Sequence, residues 1–173
     1  MIFDTGLRAS LEKKLNKGKD MAVRKVPGKY ISGISESTAA KRKAEIRKRA
    51  TGKKESYKPL PGDSKKSNRK STYTQRVTKS GLRKKILEQA TKEKGTQRDR
   101  FISAVSKVTQ IPRRIILKVY ERGEKAWSVG HRVGASQSAW AKARIYSFLT
   151  GGKTTTTGDA DLYKEVKKLR RKS

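Results

Sequence analysis

Apolar residues recur at helical spacing through most of the second half of the chain. Leu82, Ile86, Leu87 and Ala90 make one stripe, which Gly95 ends. Phe101, Ile102, Val105 and Val108 make the next, in a helix expected from about Gln97 to Val108. The TQIP segment breaks that helix, and Pro112 suits the first turn of another. This third helix is expected to run to Arg122, with Ile115, Ile116, Val119 and Tyr120 inward and Gly123 as its stop. A fourth, from about Ser136 to Leu149, carries Trp140, Ile145, Phe148 and Leu149 and closes at Gly151-Gly152. Ser136 fits its N-cap. Asp159 or Asp161 then caps a last amphipathic helix with Leu162, Val166 and Leu169 inward. The pattern predicts a mostly α fold, with a small helical core domain at about 80–173 whose C-terminal helix is basic, no internal repeat and no sheet.

The first half is patterned differently. Leu7, Leu11 and Leu15 predict a short amphipathic helix within residues 1–20, marginal alone and suited to docking. Residues 21–79 read as an extended, highly basic arm with one isolated helix at about 37–50, capped by Ser35 or Ser37. Lysine and arginine cover most of that helix, so it is either a solvated helix or one lying on phosphates or an acidic protein surface. Residues 52–80 hold Pro59, Pro61 and Gly62 in a Ser- and Lys-rich linker, with no acid from Ser64 to Leu87. Within it Thr72–Val77 could be a short strand or an extended peptide.

Charge sharpens this division. The 173 residues carry 46 Lys and Arg against 15 Asp and Glu, a net charge of +31, while apolar residues are only 32%. A polyanion is therefore the expected partner, DNA foremost. No stretch joins a wide apolar face to the basic residues, and no apolar run approaches a membrane span, so a membrane is not expected. The start of the chain lacks the apolar core of a signal peptide. With no cysteine and one histidine, no metal site is expected. No cofactor or small-molecule substrate is evident either. The binding residues expected are Lys41, Arg42, Lys43, Arg47, Lys48 and Arg49 on the first basic helix, and Lys65, Lys66, Arg69 and Lys70 in the linker. Arg113, Arg114, Arg132, Arg170 and Arg171 complete the set.

The segment from Trp127 to Lys153 concentrates the remaining chemistry: both tryptophans, the histidine and four glycines. His131 could be a general base, but no acid lies between Glu124 and Asp159 to orient it; the plainer reading is a loop histidine bonded to backbone. Trp127, His131, Arg132, Trp140 and Arg144 mark a candidate pocket. The aromatics could stack on bases, although at helical spacing they more often form core. The two helices around TQIP resemble a helix-turn-helix, with Arg113 and Arg114 placed for base contacts; ordinary core packing explains the same pattern. Gly151-Gly152-Lys153-Thr154 echoes the end of a P-loop but lacks its first glycine and the preceding strand. No catalytic residue is assigned.

Ile111-Pro112, Gly123 then Trp127, GHRVGAS at 130–136, Trp140-Ala141, Ser147-Phe148, Gly151 to Thr154 and Asp159 to Leu162 occur in a characteristic order. With Lys29-Tyr30-Ile31, Tyr57 to Leu60 and Ser71 to Thr74 upstream, the chain beyond about residue 26 resembles a domain of unknown function. That domain occurs in marine cyanophages and large algal and amoebal DNA viruses. Val133 stands where the family often has proline. The resemblance implies a viral origin and no known activity. The expected function is thus a non-enzymatic virion structural protein, a minor capsid component binding other virion proteins of the capsid or portal region, and DNA. Its expected location is the virion, and the host cytoplasm during assembly. The alternatives are a soluble DNA-binding protein that condenses or regulates the genome, and a nucleic-acid-processing enzyme centred on His131 and Arg132.

Overall fold

The computed structural model describes residues 25–51, 59–64 and 71–171. The expected helix at 1–20 and the linker cations Lys65, Lys66, Arg69 and Lys70 lie outside them. The described residues form seven α-helices and two short 3-10 turns, and no strand. The helices are α1 (Glu36–Thr51), α2 (Thr72–Lys79), α3 (Leu82–Lys92), α4 (Gln97–Thr109), α5 (Arg113–Val129), α6 (Gln137–Leu149) and α7 (Ala160–Arg170).

Local chemistry sets most of these ends. Thr96 and Ser136 cap α4 and α6, accepting hydrogen bonds from the N–H groups of Asp99 and Ala139 at 3.2 Å each. Gln110 closes α4 in the left-handed region, at φ 56°. Two expectations are corrected. Residues 72–79 are helix, not strand or extended chain: Ser71 caps them, accepting from Thr74 N–H at 3.0 Å, and Val77 is fully buried. Helix α5 does not stop at Gly123 but continues to Val129, which places Trp127 on its last turn.

Glycine is in the middle of α5 because the next helix lies against it. A Cβ at residue 123 would stand 2.7 Å from Ala141 Cα and 3.1 Å from its Cβ. Small residues on both helices let the two backbones approach, and α5 with α6 forms the most extensive helix pair of the fold. Around this pair Val77, Ile86, Phe101, Ile102, Val105, Ile115, Ile116, Val119, Ile145, Phe148, Leu162 and Val166 fill the main core. Trp127 is buried, whereas Trp140, expected as core, is only half-buried.

A smaller apolar cluster of Val26, Ile46 and Leu60, flanked by Tyr30 and Ile31, joins residues 25–51 to 59–64. It is seated on the C-terminal end of α5. Gly130 leaves room for it: a Cβ there would meet the Tyr30 ring at 3.2 Å and Ile46 at 3.5 Å. The described parts of the expected arm are therefore docked on the helical core.

Candidate functional site

The seam between the two clusters is polar and closed to solvent. Arg42, on α1, is 0% exposed. Its guanidinium donates from Nε to the Tyr30 carbonyl at 2.7 Å and from Nη2 to the His131 carbonyl at 2.8 Å. Nη1 donates to the Pro61 carbonyl at 2.7 Å and to Asp63 Oδ1 at 2.9 Å. The Asp63 carboxylate accepts in turn from Leu60 N–H at 2.7 Å and from Gly134 N–H at 3.1 Å, and its Oδ2 lies 2.7 Å from His131 Nε2. His131 Nδ1 lies 2.7 Å from the Trp127 carbonyl oxygen. The Trp127 ring stacks on the imidazole with centroids 4.2 Å apart, and its own N–H donates to the Ala135 carbonyl. Trp140 stands edge-on to both His131 and Tyr30.

This network resolves several sequence expectations. His131 does bond backbone, through Trp127. The carboxylate that orients it exists, but comes from Asp63, 68 residues upstream. Arg42, expected on a binding surface, is instead a buried strut with its donors spent on four elements of the seam. Arg144 does not join this pocket: it forms a bidentate pair with the fully buried Asp159, at 2.8 and 2.9 Å. Arg122, which sequence reasoning missed, donates to both Asp161 oxygens at 2.7 Å and to the Gly158 carbonyl at 2.7 Å. Asp159 stands at the N-cap of α7 without capping it, because its oxygens are committed to arginine.

Burial opposes ionisation of Asp63, but the His131, Leu60 and Gly134 hydrogen bonds outweigh it and hold the carboxyl below its ordinary range. Burial is the largest influence on His131 and the Arg42 charge adds to it, so the imidazole sits below its ordinary value despite Trp127 and Asp63. A neutral ring has one N–H for two oxygen neighbours, best spent on the charged carboxylate. Both depressed groups act in the same direction. The unfolded chain takes protons more readily, so stability is present above the ordinary histidine and aspartate values and lost as pH falls through them. Urea unfolding across pH should show stability declining below about 6.5 and again below about 3.8. His131→Gln should remove the upper decline; a profile flat from neutral to mildly acidic pH would refute the assignment.

The other predicted cations stand outside the seam. Arg49 bonds Glu45, the Ser128 carbonyl at 3.2 Å and the Pro59 carbonyl at 3.4 Å. Arg113 pairs with Asp99 at 3.1 Å and Arg114 with Glu165, both at the surface. Arg132 is half-buried, with its charge acting on the Tyr30 hydroxyl. Lys43 is half-exposed, and Lys41, Arg47, Lys48, Arg170 and Arg171 are exposed. Among the described residues ten carboxylates are ion-paired, on residues 45, 63, 88, 93, 99, 121, 124, 159, 161 and 165. Most of the negative charge among the described residues is thereby paired within the chain, several of the pairs at the surface, and the charge left over is cationic. Among the described residues no group of three His, Asp or Glu side chains could hold a metal, and no helix is long and apolar enough to cross a membrane.

Fold and site together define an all-α protein with a cationic exterior and an internally satisfied Arg–Asp–His seam. Residues 27–167 match the family of unknown function DUF5824, and the chain belongs to that family. The matched span begins in the docked segment and ends in α7, so it includes both sides of the seam. No curated protein and no solved structure matches the chain.

Proposed function

We propose that this protein is a non-enzymatic structural component of a virus particle, a minor capsid protein whose cationic exterior binds acidic capsid surfaces or packaged DNA. The observation that carries the binding part is the charge balance: 46 Lys and Arg stand against 15 Asp and Glu, and ten carboxylates of the described residues are already paired within the chain, which leaves a large cationic surplus. The particle as its location follows from the resemblance to phage and large-virus sequences. His131 supports a structural role, since it is fully buried and both ring nitrogens are engaged, by the Trp127 carbonyl and by Asp63.

Mass spectrometry of purified particles tests this. The protein is expected in full particles and in DNA-free ones, at constant ratio to the major shell protein. Absence from both would overturn the proposal. Presence only in DNA-filled particles would favour the genome-condensing reading. That reading also requires duplex binding by the isolated protein whose logarithmic affinity falls steeply and linearly with logarithmic salt.

A further inference from the structure

We propose that Trp140 is a stacking platform for an unpaired base of single-stranded nucleic acid, flanked by Tyr30, Lys29 and Arg132. The inference deepens the binding part of the proposed function, on which it rests, by naming one place where the polyanion is held and the form in which it is held. Trp140 lies near the start of α6 and is half-buried. Its ring centre is 5.9 Å from that of Tyr30 and 6.4 Å from that of His131, at interplanar angles of 65° and 69°. Neither neighbour is stacked on it. Trp127 is the contrast. It is buried, His131 is stacked on it with centroids 4.2 Å apart, and its N–H is spent on the Ala135 carbonyl. The seam thus keeps one indole for itself and leaves the other part-exposed at its rim.

The charge beside this ring has one sign. Lys29 is exposed and holds its ammonium 5.4 Å from the centre of the Tyr30 ring, one ring away from Trp140. Gly130 permits that arrangement, because it leaves room for the Tyr30 ring on the backbone at the end of α5. Arg132, half-buried, follows His131 directly in the chain. The two stretches that carry these residues, 25–35 and 125–158, contain no aspartate or glutamate. The seam's own carboxylate, Asp63, is committed to Arg42, His131 and two backbone N–H groups. An aromatic ring with cations beside it suits a ligand that presents π faces and phosphates together. An acidic protein surface supplies carboxylates without the rings. A duplex supplies phosphates, but its base faces are covered by their neighbours, and parting them costs free energy. An unpaired strand offers both at once.

The test follows the two indole N–H signals of the full chain by NMR during titration with oligothymidylate, a short DNA duplex or polyglutamate, at fixed ionic strength; Trp140→Phe assigns them. Oligothymidylate should shift the Trp140 signal saturably and leave that of Trp127 in place. Trp140→Leu keeps an apolar cover over His131 and should weaken oligothymidylate binding by about ten- to a hundredfold, the value of one stacked base. Trp140→Phe should keep most of the affinity. Lys29→Gln, at an exposed position, should lower the slope of logarithmic affinity against logarithmic salt by about 0.7, the contribution of one phosphate contact on a single strand. That readout and the Trp140 signal of the unmutated chain decide the matter even where Trp140→Leu does not fold. A Trp140 signal unmoved at saturation, an affinity indifferent to Trp140→Leu or a slope indifferent to Lys29→Gln would overturn the proposal. Equal Trp140 shifts with duplex or polyglutamate would overturn its single-stranded ligand. Presence in particles with an unmoved Trp140 would sink this surface alone, and absence from particles with a moved Trp140 would sink only the particle reading.

Discussion

Asp63→Ala is expected to destabilise the protein by about 3–5 kcal/mol, because it leaves the Arg42 guanidinium buried without its counter-charge. Arg42 is 0% exposed and the Asp63 side chain 11%, so solvent cannot take over the lost partner. The same substitution removes the acceptor for Leu60 N–H and Gly134 N–H and the carboxylate beside His131. Asp63→Asn should cost less, since an amide oxygen still accepts one of these bonds. The double variant Arg42→Met, Asp63→Ala should be more stable than Asp63→Ala alone, because no buried charge remains. Urea unfolding measures the first effect. Hydrogen exchange locates it: amides of α1 should lose protection before those of α4 and α5. A loss below about 1 kcal/mol, the size of an ordinary exposed ion pair, would show that the seam is wetter than its geometry implies.

The helices of the core were legible because burial there is periodic. Stripes at three- and four-residue spacing placed α3, α4, α6 and α7 within a few residues, since these helices pack one apolar face on a common core. The seam was not legible, for a physical reason. Its members are polar residues about ninety positions apart at the extremes, Arg42 and His131, with Asp63 between them in a proline-containing stretch that has no period at all. A basic helix looks the same in sequence whether one of its arginines points at a partner or at the protein's own carbonyls. Arg42 differs from Lys41 and Lys43 only in being arginine, the one cation whose planar fork can satisfy several fixed acceptors at once. The signal that could have found it was the acid content: Asp63 is the last acid before Glu88, and it follows Pro61-Gly62 in a turn that places its carboxylate inward.

That scarcity of acids also separates structural cations from binding ones. With few carboxylates to share, the fold spends them on arginines at helix junctions: Arg42 at the seam, Arg144 and Arg122 before α7, Arg98 between α4 and α5. Lysines such as Lys41, Lys164 and Lys168 stay outward. A long, strongly hydrated ammonium is poorly suited to a dry junction and well suited to a mobile contact with a polyanion. Charge number predicted a partner; only the geometry shows which charges are available to meet it.

Gly123→Val should cost about 3 kcal/mol, the upper range for forcing extra carbon atoms into a filled interface. In the sequence the position reads as a helix stop, because glycine is poor in helix interiors and common after their ends. Here it sits within α5 because Ala141 of α6 occupies the place of its side chain, with the α-carbon 2.7 Å from where a Cβ would be. A backbone atom in a packed helix cannot swing aside, so the two helices must separate. Gly123→Ala has the same clash with less bulk, offset by about 1 kcal/mol of gained helix propensity, and should be clearly milder. Gly28→Ala is the control: nothing lies within 4 Å of its Cβ position, and its Tm should barely move. The valine effect should also reach the seam. Trp127 and the chain to His131 continue directly from α5, and Trp140 rides on α6 one residue before the contact. Parting the helices therefore draws Trp140 away from His131, and the tryptophan fluorescence of Gly123→Val should report a wetter environment even where the variant stays folded. Unchanged stability and emission together would mean that α5 and α6 do not approach as closely as their small residues permit.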